Sequence, residues 1–275
     1  MECVHKILIS RKPPLPPIKV NCGQCIACRL NRASDWAARI MHEARMSIDS
    51  SFVTLTYDEE NLPRVGEYAT LVKKDVQDFF KRLRKEIEPR KIRYYMCGEY
   101  GDTFHRPHYH CIIFGIGPAE IRELVARCWQ FGFSHVGTVS FDSAAYVARY
   151  CTKLLTGKKK EWYSERNILP EFSLMSRRPG IGATWLEKYG KEIKVHHNIV
   201  IKGRKVSPPR YYRDKIYDES DRNIISRDLV NKVANRIKEE MSYNKSHPDT
   251  YEDAVAEQRD YTFKSRLQMK KRSKL

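Results

Sequence analysis

The apolar pattern of this 275-residue chain predicts an α+β fold with an antiparallel sheet. Three observations carry that prediction. Phe52 to Tyr57 alternates Val53, Leu55 and Tyr57 against Thr54 and Thr56, the period of a half-buried strand. Val76, Phe79, Phe80, Leu83 and Ile87 recur at helical spacing and are followed by Pro89. Lys91 to Glu99 and His108 to Phe114 read as two strands joined by the turn Gly101 to Pro107, close enough to pair antiparallel.

The remaining elements follow in order. Pro13, Pro14, Pro16 and Pro17 keep the N-terminal arm extended, because proline removes a donor and locks φ. Ser34 is placed to cap a helix to about Ile48, with Trp36, Ile40, Ala44 and Ile48 on one face. Pro118 opens a helix with Ile121, Leu124, Val125 and Cys128 on one face. Phe133 to Val139 is strand-like, and Asp142 or Ser143 caps a helix reaching Leu155 and ended by Gly157. From Phe52 the order is strand, helix, strand, strand, helix, strand, the split βαβ order of a ferredoxin-like fold. Beyond Gly157 the pattern predicts only a hairpin across Lys202-Gly203-Arg204 and a helix from about Arg222 to Met241. Three segments result: a Cys-containing arm and helix over 1–50, a core over 51–157, and a basic extension over 158–275.

Charge narrows the partner. With 51 Lys and Arg against 34 Asp and Glu, the net charge of +17 points to a polyanion, since cations that neutralise phosphates release condensed counterions. The excess is denser after residue 155, where the net is +11 against +6 before it, and the stretch from Thr262 to the end has six basic and no acidic residues. No run of about 18 apolar residues exists and the first residues lack the apolar core of a signal peptide, so the expectation is a cytoplasmic chain with no membrane segment.

Two motifs carry chemistry. In Arg106-Pro107-His108-Tyr109-His110, the histidines share one face of a strand with Cα atoms roughly 6.5 Å apart, a spacing that can chelate one divalent ion. Paired strands would bring Glu99 beside them as a third ligand, leaving open coordination positions. On the following helix, Tyr146, Tyr150 and Lys153 form one stripe apart from the packing residues Ala144, Val147, Ala148, Cys151 and Leu155. A tyrosine hydroxyl is a weak nucleophile at its ordinary pKa near 10, but a metal-polarised phosphate with a lysine nearby makes a phosphotyrosine bond accessible.

Phe52-Val53-Thr54-Leu55-Thr56-Tyr57-Asp58, then Gly98-Glu99-Tyr100-Gly101 leading to the His pair, then Tyr146-x-x-x-Tyr150-x-x-Lys153, resemble in order the three motifs of HUH rolling-circle replication initiators. The nearest resemblance is to the initiators of gokushovirus-like Microviridae, small single-stranded DNA phages. Those also show a Cys22-Gly23-Gln24-Cys25-Ile26-Ala27-Cys28-like run and a Met175 to Gly182-like segment, so the likeness runs from Cys22 to Gly182. The resemblance implies an origin-specific nickase dependent on a divalent metal such as Mg or Mn, which links itself to a DNA 5′ end and later rejoins the strand as a circle. It implies His108, His110 and Glu99 as metal ligands and Tyr146 and Tyr150 as nucleophiles. Arg149 stands where the family often has Lys, with Lys153 the alternative assisting cation. Arg106, Arg149, Arg177 and Arg178 are candidates for contacts to DNA, and Tyr57-Asp58 for DNA binding or site geometry. Single-stranded and origin DNA would be the partners, with unwinding supplied by a host helicase and synthesis by a host polymerase, since no Gly-x-x-x-x-Gly-Lys-Ser/Thr loop exists.

The cysteines leave two readings open. Cys22, Cys25 and Cys28 could hold zinc with Cys3 or Cys97 as a fourth ligand, or they are reduced structural thiols. Cys111, opposite in face to His110, is expected in the core. Two rivals stand beside the nickase: an HUH transposase or relaxase, and a non-enzymatic, zinc-stabilised nucleic-acid-binding module. In relaxases the tyrosine precedes the histidine pair, and the module leaves the tyrosine stripe unexplained.

Overall fold

A computed structural model describes residues 3, 5–12, 17–150, 161–225, 227, 231 and 235. The chain divides into two compact units, Met1–Asn31 with Lys191–Leu275, and Arg32–Gly190. The expected helix from Arg222 to Met241 lies largely outside the described residues, as do the tail from Thr262 and the end of the helix expected to reach Leu155.

In the first unit, β1 (Ile7–Ile9) pairs antiparallel with β2 (Ile18–Val20), with Ile7 opposite Val20. This unit also holds the first turns of α1 (Ile26–Met46). Its later part ends the helix α6 (Ala183–His196) and forms the expected hairpin, β10 (Ile199–Ile201) against β11 (Arg204–Val206), whose turn places Lys202 and Gly203 at positive φ. The short helix α7 (Arg210–Ile216) buries Tyr212. Lys194 bridges Asp218 and Asp221 at 2.9 and 3.0 Å.

The second unit is built on a five-stranded antiparallel sheet, so the chain is α+β. Its strands are β3 (Ser50–Tyr57), β6 (Arg93–Tyr100), β7 (Pro107–Phe114), β8 (Gly132–Thr138) and β9 (Phe172–Met175), in spatial order β8-β3-β7-β6-β9. Between β3 and β6 run the two-residue pair β4 (Arg64–Val65) and β5 (Tyr68–Ala69) and the helix α2 (Lys73–Glu86). Helix α3 (Pro118–Cys128) joins β7 to β8, α4 (Phe141–Tyr150) follows β8, and α5 (Glu161–Glu165) precedes β9.

Alternation assigns each residue to one face. On the first face, Val53, Leu55, Tyr57, Met96, Tyr109, Cys111 and Ile113 pack with Val76, Phe79, Phe80 and Leu83 of α2 and Ile121 and Val125 of α3. Cys111 is fully buried there, in the core as expected. Tyr57 donates to Asp75 Oδ2 at 2.7 Å and shares a 2.9 Å hydrogen bond with the Tyr109 hydroxyl, so both phenols are satisfied, and burial pushes both well above the ordinary tyrosine pKa. Tyr57 is therefore a core residue. Asp58, beside it, ties the next turn by accepting from the Asn61 backbone N–H at 2.8 Å. Gly132 opens β8 at φ 140°, where a Cβ would stand 2.2 Å from Asp58 N, so the close approach of the two strands requires glycine.

The second face is covered by Ala33, Ala37 and Ile40 of α1 and Ala144, Val147 and Ala148 of α4, against Tyr95, Cys97, Ile112 and Phe114. Small residues let both helices lie close to the sheet. Helix α1 begins eight residues earlier than the Ser34 cap predicted. Ser34 sits exposed in mid-helix, where good helix formers on its N-terminal side, Ala27, Arg29, Leu30, Arg32 and Ala33, carry the helix past it. It also stops at Met46, which leaves Ile48 fully exposed rather than on the packing face. Strand β9 had no sequence prediction, and it places a segment of the 158–275 stretch at the edge of the sheet, with Met175 opposite Tyr95.

Candidate functional site

The second face is apolar where the helices lie and polar at one end. There the register sets Thr54 opposite His110 and Thr56 opposite His108 across β3 and β7, and Glu99 opposite His108 across β6 and β7. Five side chains from three neighbouring strands thus project to the same side.

Hydrogen bonds set their orientation. His110 Nε2 and Glu99 Oε1 are 2.8 Å apart, with both residues buried. A carboxylate only accepts, so in the neutral imidazole Nε2 carries the proton, and Nδ1 accepts from the Thr54 hydroxyl at 3.0 Å. Thr56 Oγ1 meets His108 Nδ1 at 3.1 Å in the same way. Each imidazole is thus held from behind by a threonine, which directs Nε2 away from β3, the arrangement by which outer partners orient metal-binding histidines. Neither threonine was singled out from sequence. The signal was present: two β-branched hydroxyls on the polar positions of β3, two residues apart like the histidines.

The rings of His108 and His110 have centroids 6.5 Å apart. Burial, followed by His110 and Arg106, holds the His108 pKa below the ordinary value, favouring the neutral imidazole that a metal requires. Gly101 bounds this ring, since a Cβ there would lie 3.2 Å from His108 Nε2. Two neutral imidazoles and a carboxylate on one face are a donor set suited to a divalent ion, and the 2.8 Å approach of His110 Nε2 to Glu99 Oε1 brings two of the three together. Among the described residues, the group whose donor atoms all lie within 4.8 Å of one another is a different one, Cys3, Cys22, Cys25 and Cys28.

Helix α4 brings a tyrosine to this end of the face. Ala144, Val147 and Ala148 are fully buried, as the packing stripe predicted, and Tyr146, half-buried at the margin, lies edge-on to His110 with ring centroids 5.3 Å apart. Tyr150 follows one turn later in the same helix. Lys153 lies outside the described residues. Arg149 is half-buried on α4, and Arg177 and Arg178 are exposed after β9.

Arg106 has a structural task. Its guanidinium donates to Tyr57 O at 2.9 Å and to Glu59 Oε2 at 2.8 Å, clamping the end of β3 to the β6–β7 turn. It also lines a cavity of about 370 Å³ with Arg64, Tyr68, Phe104, Trp162 and Arg166, in which Arg166 lies 5.1 Å from the Tyr68 ring centroid and 5.0 Å from that of Trp162. Phe104, at the tip of the β6–β7 turn, is 87% exposed.

The segment after β9 is pinned from below. Buried Glu43 of α1 accepts from Gly182 N at 2.6 Å and pairs with Arg93, Arg93 donates to Pro179 O at 2.9 Å, and Arg39 donates to Ile181 O at 3.0 Å. The Met175 to Gly182 run thus owes its shape to three buried or half-buried side chains of α1 and β6.

The family model that matches is that of the replication-associated protein ORF2, over residues 50–155, which contains β3, the His pair and α4. The chain is 30% identical over 256 residues to replication-associated protein VP4 of Bdellovibrio phage phiMH2K, covering 85% of this chain and 79% of that one. It is 30% identical over 217 residues to replication-associated protein ORF2 of Spiroplasma virus 4, covering 70% and 66%, and 27% identical over 237 residues to replication-associated protein ORF4 of Chlamydia phage 1, covering 78% and 55%. The chain belongs to this family of Microviridae replication-associated proteins. No solved structure matches.

Proposed function

We propose that this protein initiates replication of a single-stranded DNA phage genome by nicking one strand at the origin and later rejoining it, as an HUH endonuclease. We read the order β8-β3-β7-β6 with α2 and α3 on one face as the ferredoxin-like split βαβ arrangement, extended at its edge by β9. The observation that carries the reading is the 5.3 Å approach of Tyr146 to His110, which joins a candidate nucleophile to a candidate metal-binding face.

His108, His110 and Glu99 would hold the divalent ion, Mg or Mn, with Thr54 and Thr56 fixing the two rings. When bound, such an ion supplies Lewis-acid polarisation of the scissile phosphate. The phenolic oxygen of Tyr146 or Tyr150 attacks phosphorus, the bond to the 3′ oxygen breaks, and the phenol proton leaves as that oxygen becomes a 3′ hydroxyl. The product is a 5′-phosphotyrosine, and because one phosphodiester replaces another, its energy is kept for the reverse attack that closes the circle. Lys153 or Arg149 would stabilise the developing phenolate. Two tyrosines one turn apart permit one to hold a 5′ end while the other attacks the next junction.

The substrate would be held by charge and stacking. Arg177, Arg178 and the basic C-terminal stretch would follow the phosphate backbone, and the aromatic and arginine cavity beside Phe104 offers ring faces to unstacked bases. A host helicase and polymerase would supply unwinding and synthesis. The test is incubation of labelled single-stranded origin DNA with Mg²⁺ or Mn²⁺ and denaturing gel electrophoresis. A covalent adduct should form and vanish when Tyr146→Phe and Tyr150→Phe are combined; an adduct that survives in the double variant sinks the assignment.

A further inference from the structure

The four cysteines of the first unit are far apart in sequence and together in space. Cys3 Sγ lies 3.5 Å from Cys22 Sγ and 3.8 Å from Cys25 Sγ, and all four sulfurs, including Cys28, fall within 4.8 Å of one another. These separations are too long for disulfides, and all four are free thiols. Four sulfurs arranged tetrahedrally about 2.3 Å from one ion would stand about 3.8 Å apart, the spacing found here.

We propose that Cys3, Cys22, Cys25 and Cys28 form a structural tetrathiolate site for Zn²⁺. On loading, four thiols give up their protons to solvent and four sulfur–zinc bonds form, with no redox change and no open coordination position. The fourth ligand is Cys3. Cys97, the other candidate, is buried in the sheet, in register with His110 and packed in the cluster that holds Tyr95 and Ile112.

Local structure prepares the site for negative charge. The backbone N–H of Cys25 donates to Cys22 Sγ at 3.3 Å, and that of Cys22 to Cys3 Sγ at 3.3 Å. Cys28 sits in the first turn of α1, which carries no acidic residue, so unsatisfied N–H groups and the positive end of the helix dipole face the sulfurs. Burial raises all three thiols of the run. At Cys22 the N–H groups of Cys25 and Gln24 overcome it and bring the pKa down to about 6, whereas Cys28 is pushed up to about 12 by burial and its sulfur neighbours. Four sulfurs therefore compete to hold little negative charge, a conflict that a divalent cation resolves.

The consequence is mechanical. Linking Cys3 to the start of α1 closes a loop that contains the β1–β2 hairpin, a strand pair too short to persist by itself. The hairpin exposes Ile7, Leu8, Ile9 and Ile18, so burial of its own side chains contributes little to its order.

The test uses the full-length protein purified under reducing conditions. Elemental analysis after dialysis should find one zinc per chain, released by an organomercurial, and cobalt should replace it with the charge-transfer and ligand-field bands of a tetrahedral tetrathiolate. Cys3→Ser should lose the metal, Cys97→Ser should keep it, and Cys3→His should keep it with bands of a mixed sulfur and nitrogen set. Chelation should speed trypsin cleavage at Lys6, Arg11, Lys12 and Lys19. Fully reduced wild-type protein that holds no zinc and takes up no cobalt overturns the proposal, as do retention in Cys3→Ser with loss in Cys97→Ser, or disulfides among these cysteines in freshly reduced protein. The nicking assay is a separate readout, so failure of either reading leaves the other standing.

Discussion

The two faces of the five-stranded sheet are made by the same strands and differ in what they hold. One alternates Val53, Leu55 and Tyr57 with Tyr109 and Cys111 beneath α2 and α3, and its polar atoms, the Tyr57 and Tyr109 hydroxyls and Asp75, bond one another. The other alternates Phe52, Thr54 and Thr56 with His108 and His110, and its polar atoms gather at one end beside α4. A period of two lets one strand contribute to packing and to chemistry without compromise, because neighbouring residues never share a surface.

That division can be broken at either face. The largest effect is expected on the packed face, where Phe79→Ala empties a fully buried position and should cost about 3–5 kcal/mol in urea unfolding. A loss under about 1 kcal/mol would show that this face is not where stability is stored.

The layer behind the polar face should be the acid-sensitive one. His42 of α1 stacks on Trp185 at 3.6 Å, and burial, with Arg45 nearby, lowers its pKa to about 4. The folded state therefore refuses a proton that the unfolded state accepts below its ordinary value near 6.5. Stability is full above that value and falls as the pH drops toward about 4, by on the order of 3 kcal/mol at most. Unfolding curves for His42→Gln should lose this part of the slope, and an unchanged slope would assign it to other groups.

Thr54→Val keeps the shape of β3 and removes the hydroxyl behind His110. DNA cleavage should fall about 10–100-fold with stability changed by less than about 1 kcal/mol. Equal loss of both would mean that Thr54 is part of the packing. The smallest effect is expected from Tyr57→Phe, which should cost about 1–2 kcal/mol through the lost bond to Asp75 and leave the cleavage rate unaltered. A rate change there would show that the two faces communicate.

Much of this was legible before any coordinates. The alternation of β3, the stripe of α2 and the turn between β6 and β7 placed the strands and the candidate residues because each signal is local and strong. Phe172–Met175 escaped because four residues without alternation have no strand signature; their pairing with Tyr95 to Gly98 makes them one. Ser34 misled because a capping residue is equally tolerated on the exposed side of a helix. Thr54 and Thr56 read as ordinary strand chemistry, since nothing in β3 itself reveals what stands opposite.

The sequence by itself determined the chemical inventory: a +17 chain, a His-x-His on a strand, a Tyr-x-x-x-Tyr on a helix and a triple-cysteine run. Tertiary structure decided which members meet. It set Glu99 against His110, put a threonine behind each imidazole, turned Tyr146 toward the His face, and chose Cys3 over Cys97 as the partner of the cysteine run. The reason is physical. Periodicity reports which face a residue occupies, but register and packing between distant segments fix its neighbours, and chemistry depends on neighbours.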